Sequence, residues 1–414
     1  MPTLQPVRGT HDLLPADSLR HRRVIETFRT IAERYGFGEI ATPIFEFTEV
    51  FKRTLGETSD VVTKEMYTFI DRGGDEITLR PEYTAGIARA LISGGLAQSL
   101  PLKFHCHGPM FRYERPQKGR LRQFHQLDIE ILGVAEPLAD IEVIAVGADL
   151  LAELGVADKT ELELNTLGDP ESRAAYRAAL VAYFDGHRDA LSEDSRVRLE
   201  RNPLRILDSK DKGDRKIIAD APPMHDYLNA GSADFFAAVC EGLDRIGVAY
   251  RLNRRLVRGL DYYTHTAFEF TTQALGAQGA VIAGGRYDGL VEAMGGPPTP
   301  GIGWAAGIER LAMLIADAPQ AKRPIAVVPV AAADESAALE LTQKLRRAGF
   351  TVDLGYRGNL SRRMKRANRL GACAAIVLGE DERARGTVTL RDLDTGEQVE
   401  VPLAEIEDRL ARYR

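Results

Sequence analysis

"MFRYERPQKGRLRQFHQLDIEILG", Met110 to Gly133, joins two patterns that call for different neighbours. Its first half crowds Arg112, Arg115, Lys118, Arg120 and Arg122 into eleven residues. Its second half alternates polar and apolar side chains, the period of a strand with one packed face. With "LPLKFHCHGPMFRYE" before it, the stretch predicts two strands joined by the basic loop Arg115 to Arg122, a hairpin. The cations call for an anion. Gln126 and Glu130, four residues apart and so on one strand face, call for something small beside it.

The rest of the chain extends this reading. At 414 residues it exceeds one ordinary core, so several domains are expected. A hydrophobic share of 44% and a charged share of 28% mark a soluble globular composition. The net charge of −6 excludes a general nucleic-acid coat, so any RNA contact must come from local basic patches. Cys106, Cys240 and Cys373 follow no paired spacing, which argues against a disulfide framework. No apolar run suggests a membrane span and the opening "MPTLQPVRGTHDLLP" has no apolar signal core; a cytoplasmic protein is expected.

Helical spacing of Val24, Phe28 and Ile31 predicts a first helix, closed by Gly36. "FGEIATPIFEF" follows as a strand that Pro43 confines to an edge. Asp169-Pro170-Glu171 is a helix start, with a capping acid and proline at the first position. The pattern then stays helical to Gly247, an α-rich insertion into a β-rich domain. After residue 318, strands alternate with helices as in a separate α/β domain. From Lys322 on, 17 Lys/Arg outnumber 14 Asp/Glu, and Lys344 to Arg369 holds nine basic residues against Asp353 alone. That imbalance suits a phosphate backbone.

Three arginines stand in unusual company. Arg112 ends a strand, Arg258 lies in "LVRGLDYY", and Arg310 ends "PGIGWAAGIERL", which reads as a buried glycine- and alanine-rich helix. A guanidinium in such surroundings needs an anion, because unpaired burial costs several kcal/mol. Glu309 and Asp261 could serve, but three such arginines on separate segments favour a polyphosphate. "AGGRYDGL" and "GIGWAAG" fit neither a P-loop nor a dinucleotide fingerprint and read as close backbone packing. His105 and His107 share a strand face without a third ligand, His125 reads as a packed core histidine, and no metal ligand is assigned.

These pieces together resemble the bacterial histidyl-tRNA synthetases over nearly the whole chain. "GFGEIATPIFEFTEVF", "FRYERPQKGRLRQFHQ" and "PGIGWAAGIERL" resemble the three motifs shared by class II synthetases. "RGLDYYTHTAFEF" and "AGGRYDGL" resemble the two histidine-specific motifs, and "TLRPEYTAG" resembles the loop that takes the substrate amine. The resemblance implies an α+β fold: a six-stranded antiparallel catalytic sheet with flanking helices, an α-rich insertion and a C-terminal α/β anticodon-binding domain. The divisions expected are 1–168 and 249–318 for the catalytic core, 169–248 for the insertion and 322–414 for the last domain.

It also implies a homodimer that activates histidine with ATP and Mg²⁺ and passes it to tRNA. Arg112, Arg258 and Arg310 are then catalytic, and Arg112, Glu114, Arg120 and Arg310 bind ATP. Glu82, Tyr83, Thr84, Gln126, Glu130, Arg258, Tyr262 and Tyr263 bind histidine, while Arg115 and Gln117 meet the tRNA acceptor end. Tyr83 stands where many members have a small residue and would place a bulky group beside the amine. Rival readings are the synthetase-like regulatory subunit of histidine biosynthesis, another class II synthetase, and a non-charging RNA-binding paralogue. The regulatory subunit should lack the C-terminal domain and the "RGLDYY" residues, and this chain has both.

Overall fold

The computed structural model describes residues 3–56, 59, 61–257, 262–276, 279–316 and 320–414. Arg258 and Asp261 lie outside the described residues. The chain divides into two units, Met1–Pro319 and Gln320–Arg414.

The first unit begins with α1 (Pro15–Arg34), β1 (Gly38–Glu39), β2 (Phe45–Phe47), α2 (Thr48–Leu55), β3 (Tyr67–Ile70), β4 (Glu76–Leu79) and α3 (Thr84–Ser93). The hairpin strands β5 (Leu102–Phe111) and β6 (Gln123–Leu132) follow, then α4 (Pro137–Glu153) and β7 (Glu161–Thr166). Next come α5 (Pro170–Asp185), α6 (Glu193–Arg201), α7 (Lys212–Ala219) and α8 (Ala230–Arg245). The unit closes with β8 (Arg251–Leu252), β9 (Thr264–Thr271), β10 (Ala280–Arg286), α9 (Leu290–Ala293), β11 (Gly301–Gly307) and α10 (Ile308–Leu314).

The expected hairpin is there, with β5 and β6 antiparallel from Leu102–Leu132 to Phe111–Gln123. It belongs to a sheet of order β1-β5-β6-β11-β10-β9-β7-β8. Its six central strands are antiparallel throughout, as expected. The two-residue strands β1 and β8 add parallel edges, which makes an eight-stranded mixed sheet. A second sheet has the order β2-β4-β3, and Pro43 precedes its edge strand β2.

Alternation along β6 separates the two faces of the large sheet. Leu127, Ile129 and Ile131 join a core built with Phe28 and Ile31 of α1, Val143 and Leu150 of α4, and Val239 and Leu243 of α8. Gln126, Asp128 and Glu130 take the opposite face. The helical insertion has its own cluster, including Tyr176, Leu180, Phe184, Leu199 and Ile218. Its entry is as read: the Asp169 side chain accepts from Ser172 N at 2.8 Å, with Pro170 opening α5.

Two elements differ from expectation. "FGEIATPIFEF", read as one strand, is split into β1 and β2, which belong to different sheets. The run Gly301–Gly307 is a strand between β6 and β10, and helix α10 starts only at Ile308. Glycine is a poor helix former, and here it permits close approach of neighbouring strands. Arg310 consequently falls in the first turn of a helix that follows a strand.

The second unit runs β12 (Ile325–Pro329), α11 (Glu335–Arg347), β13 (Val352–Leu354), α12 (Leu360–Arg369), β14 (Ala374–Leu378), α13 (Glu380–Arg385), β15 (Thr387–Asp392), β16 (Gln398–Pro402) and α14 (Ile406–Leu410). Its sheet order is β13-β12-β14-β15-β16, parallel at β13, β12 and β14 and antiparallel beyond. Not all of its basic patch is available. Arg363 is buried against Pro329 O and Glu335, and Arg366 pairs with Asp353. Arg362, Lys365 and Arg369 on the same helix remain exposed.

Candidate active site

A cavity of about 520 Å³ opens over the polar face of β6, and its two ends differ in charge. Arg112, Arg120 and Arg310 line one end. Arg112 leaves the end of β5, donates from Nε to Pro81 O at 2.9 Å and lies over the Phe124 ring at 5.4 Å. Arg310 donates from Nε to Gly119 O at 3.0 Å and from Nη1 to Ala280 O. Burial lowers the Arg310 pKa, and the neighbouring Arg120 and Arg112 charges push the same way. Arg120 is paired with buried Glu114. Backbone carbonyls thus orient Arg112 and Arg310, and although Glu114 and Glu269 lie close enough to favour the Arg310 charge, the three arginines together leave positive charge facing the cavity.

Carboxyl groups crowd the other end. Glu82 caps α3 by accepting from Ala85 N at 2.9 Å, and burial raises its pKa. Glu82, Thr84, Gln126, Tyr262 and Tyr263 all line the cavity. Buried Gln126 Oε1 has no hydrogen-bond partner among the described residues. Glu130 is 1% exposed and stands behind this wall. Its Oε1 accepts from Thr84 Oγ1 at 2.5 Å and its Oε2 accepts from the Tyr287 hydroxyl. Burial lifts its pKa to about 8. Gly303 faces it across the β6–β11 ladder, and a Cβ there would run into the carboxylate. A Cβ on Gly285 would likewise press on the Tyr263 ring. The glycine-rich segments are close packing, and what they pack around is the site.

Two residues depart from their expected environment. Tyr83 turns into the core with Ile87, Cys106 and Met110 instead of lining the cavity. Its hydroxyl accepts from Arg80 Nη2 at 2.9 Å, that guanidinium covers its ring, and Gly108 leaves it room. The bulky group therefore does not line the cavity. His125 is not a packed core histidine but a partly exposed partner of Glu309. The Glu309 carboxylate accepts from His125 N at 3.0 Å and meets its Nδ1 at 2.8 Å, so the alternative weighed for Glu309, pairing with the arginines, is not what it does. His21 completes that cluster, with ligand atoms within 4.8 Å of one another.

Sequence reasoning missed several polar lining residues, among them Asp128, Tyr287, Asp208, Lys210 and Glu269. Asp128 lies between Gln126 and Glu130 on the same face, so the two-residue period could have found it. Tyr287 adjoins the arginine of "AGGRYDGL". Asp208 and Lys210 come from the insertion. Their segment is held by buried Asp214, which accepts from Ser192 N, Ser192 Oγ, Ser195 Oγ and Ser209 Oγ at 2.6–2.8 Å. Burial opposes the Asp214 charge, yet these bonds hold its pKa at about 2. Arg115 and Gln117 occupy the hairpin loop, exposed, with Gln117 and Arg120 exchanging backbone hydrogen bonds.

Comparison with known proteins gives a consistent result. A family model described as histidyl-tRNA synthetase matches residues 9–311, and one described as anticodon binding domain matches 324–413. A histidine–tRNA ligase of Rhodospirillum rubrum is 64% identical over 414 residues, covering all of both chains. A histidine–tRNA ligase of Gluconacetobacter diazotrophicus is 59% identical over 411 residues, 99% of each chain. The crystal structure of apo Staphylococcus aureus histidyl-tRNA synthetase superposes with a TM-score of 0.83 at 33% identity, over 98% of this chain and 99% of that one.

Proposed function

The chain belongs to the histidyl-tRNA synthetase family, and from that premise we propose how its side chains divide the work. It activates histidine with ATP and transfers it to tRNA. In the first step a histidine carboxylate oxygen bonds to the α-phosphorus, and the bond to the bridging oxygen of pyrophosphate breaks. In the second, a terminal ribose hydroxyl of the tRNA attacks the activated carbonyl and AMP leaves. The attacking carboxylate is already ionised at neutral pH, so the first step needs no general base. It needs positive charge around a crowded phosphate.

The carbonyl-anchored arginines carry this reading. Arg112 takes the α-phosphate and Arg310 the γ-phosphate, with Arg120 and its partner Glu114 at the nucleotide. Arg258, outside the described residues, is assigned by resemblance to the attacking carboxylate. Glu82, Thr84 and Gln126 bind the amino acid's amine and carboxylate. Tyr262 lines the ring pocket, Tyr263 donates to one imidazole nitrogen, and Glu130 supports recognition of the other. Glu114 and Glu269, carboxylates on the cavity wall, would hold the Mg²⁺ that accompanies ATP, which would supply further positive charge to the phosphates. Arg115 and Gln117 meet the acceptor end.

Residues 169–248 are assigned as the insertion and 322–414 as the anticodon reader. A second copy of the chain would cover Phe45, Phe47 and Phe69. These are 46–59% exposed and share one face of the β2-β4-β3 sheet. Among the described residues no helix is long and apolar enough to cross a membrane; we assign the enzyme to the cytoplasm, where tRNA is charged. Replacing Arg112 or Arg310 by alanine should cut histidine-dependent ATP–pyrophosphate exchange about 10²-fold or more while histidine affinity changes little. Exchange near the unmodified rate in either folded variant would contradict its assignment.

A further inference from the structure

We propose that His21, His125 and Glu309 form a binding site for a divalent cation of the zinc class, apart from the Mg²⁺ that accompanies ATP. His21 comes from α1, His125 from β6 and Glu309 from α10, and one ligand atom of each lies within 4.8 Å of the others. His125 follows the two-residue period of Leu127 and Ile129, so it takes the α1 side of the sheet, away from Gln126 and Glu130. The site therefore stands on its own, whatever the active-site cavity binds.

His21 is the residue that points to a ligand. It is 8% exposed, its ring makes no hydrogen bond among the described residues, and it lines a second cavity of about 500 Å³. Its ring meets His125 edge-on, with centroids 5.5 Å apart. Burial pushes its pKa down, against the pull of the Glu309 charge, and His125 adds to the lowering. A neutral imidazole keeps a lone pair for a metal. Glu309 Oε1 and His125 Nδ1, at 2.8 Å, are joined through a proton that a bound ion would displace. The backbone N–H of His125 donates to the same carboxylate and fixes its direction, as an outer partner of a metal ligand does.

The donor set selects the ion. Two imidazoles with one carboxylate suit Zn²⁺, whereas Mg²⁺ prefers oxygen ligands. A tetrahedral Zn²⁺ sets its ligand atoms about 3.3 Å apart, so the widest separation here would close by roughly 1.5 Å. Asp17, one turn before His21, lines the same cavity and supplies the fourth ligand. On that wall Asp12, Asp17 and Glu309 outnumber Arg20 and Lys118, which favours a cation. Glu309 precedes Arg310 and His125 precedes Gln126, so a bound ion would brace both ends of the active-site cavity from behind.

The test is calorimetric titration of Zn²⁺ into the metal-stripped, untagged full chain, into His21→Gln and into His125→Asn, with Mg²⁺ in excess throughout. One ion should bind per unmodified chain, each variant should bind it at least about tenfold more weakly, and Zn²⁺ should raise the melting temperature of the unmodified chain alone. No binding by the unmodified chain, or equal binding by all three proteins, would overturn the proposal. Zinc X-ray absorption of the unmodified chain checks the same claim without a substitution. Two imidazole nitrogens with oxygens, at about 2.0–2.2 Å, are expected, and a shell containing sulfur or oxygen alone would overturn it.

Discussion

Glu130 accepts two hydroxyl hydrogens, yet burial dominates and lifts its pKa from 4.5 to about 8. Glu82 and Asp128 are displaced upward as well, also by burial first. Between about pH 4.5 and 8 the folded protein therefore holds protons that the unfolded chain releases, so stability falls as pH rises through that window. The ligand-free protein should lose thermal stability across it, and Glu130→Gln, which cannot ionise, should flatten the decline. Parallel melting-temperature profiles for the two proteins would contradict the assigned burial. The sequence showed Glu130 as a carboxylate on an apolar-patterned strand, but it could not show that Thr84 and Tyr287 occupy its oxygens. Those contacts come from α3 and from the segment after β10, remote in the chain. Tyr83 was illegible for a similar reason. Its direction depends on Arg80 and on the room left by Gly108, not on its own neighbours in sequence.

At the scale of the element, the β6–β11 ladder ties the side chains proposed for recognition to close packing. Gly303 lies opposite Glu130, and Gly307 opposite Gln126. Gly303→Ala should drive the Glu130 carboxylate from its place, raise the KM for histidine and cost about 1–3 kcal/mol by overpacking. Chemical denaturation and exchange kinetics together check this; an alanine variant with unchanged stability and histidine KM would contradict the register. The β5–β6 hairpin could be read directly because its alternation is local and long. Strand β11 could not, since its small residues match no period and its strand state is imposed by flanking β6 and β10. The helix start at Asp169 was readable because a capping acid and a proline act within one turn.

At the scale of the molecule, two units carry two halves of the task. The first contains the cavity and its own cores, and the second has a separate core that includes Val327, Leu345 and Ile376. A fragment ending near residue 318 should retain histidine-dependent exchange yet charge tRNA poorly. Charging by the full chain should also fall with salt more steeply than exchange does, because phosphate contacts release counterions. Only part of the basic patch can supply those contacts, since Arg363 and Arg366 have partners inside the unit. If a folded, dimeric fragment charged tRNA as well as the full chain, the second unit would not be the anticodon reader. The alternation of strands and helices after residue 318 made that unit legible, whereas the internal use of its arginines was visible only in the packed structure. We propose above all that one cavity joins carbonyl-anchored arginines to the histidine-binding side chains. ATP–pyrophosphate exchange measured with each standard amino acid in turn tests it most directly. Exchange with histidine alone is the result predicted, and comparable exchange with any other amino acid, or none with histidine, would contradict the account.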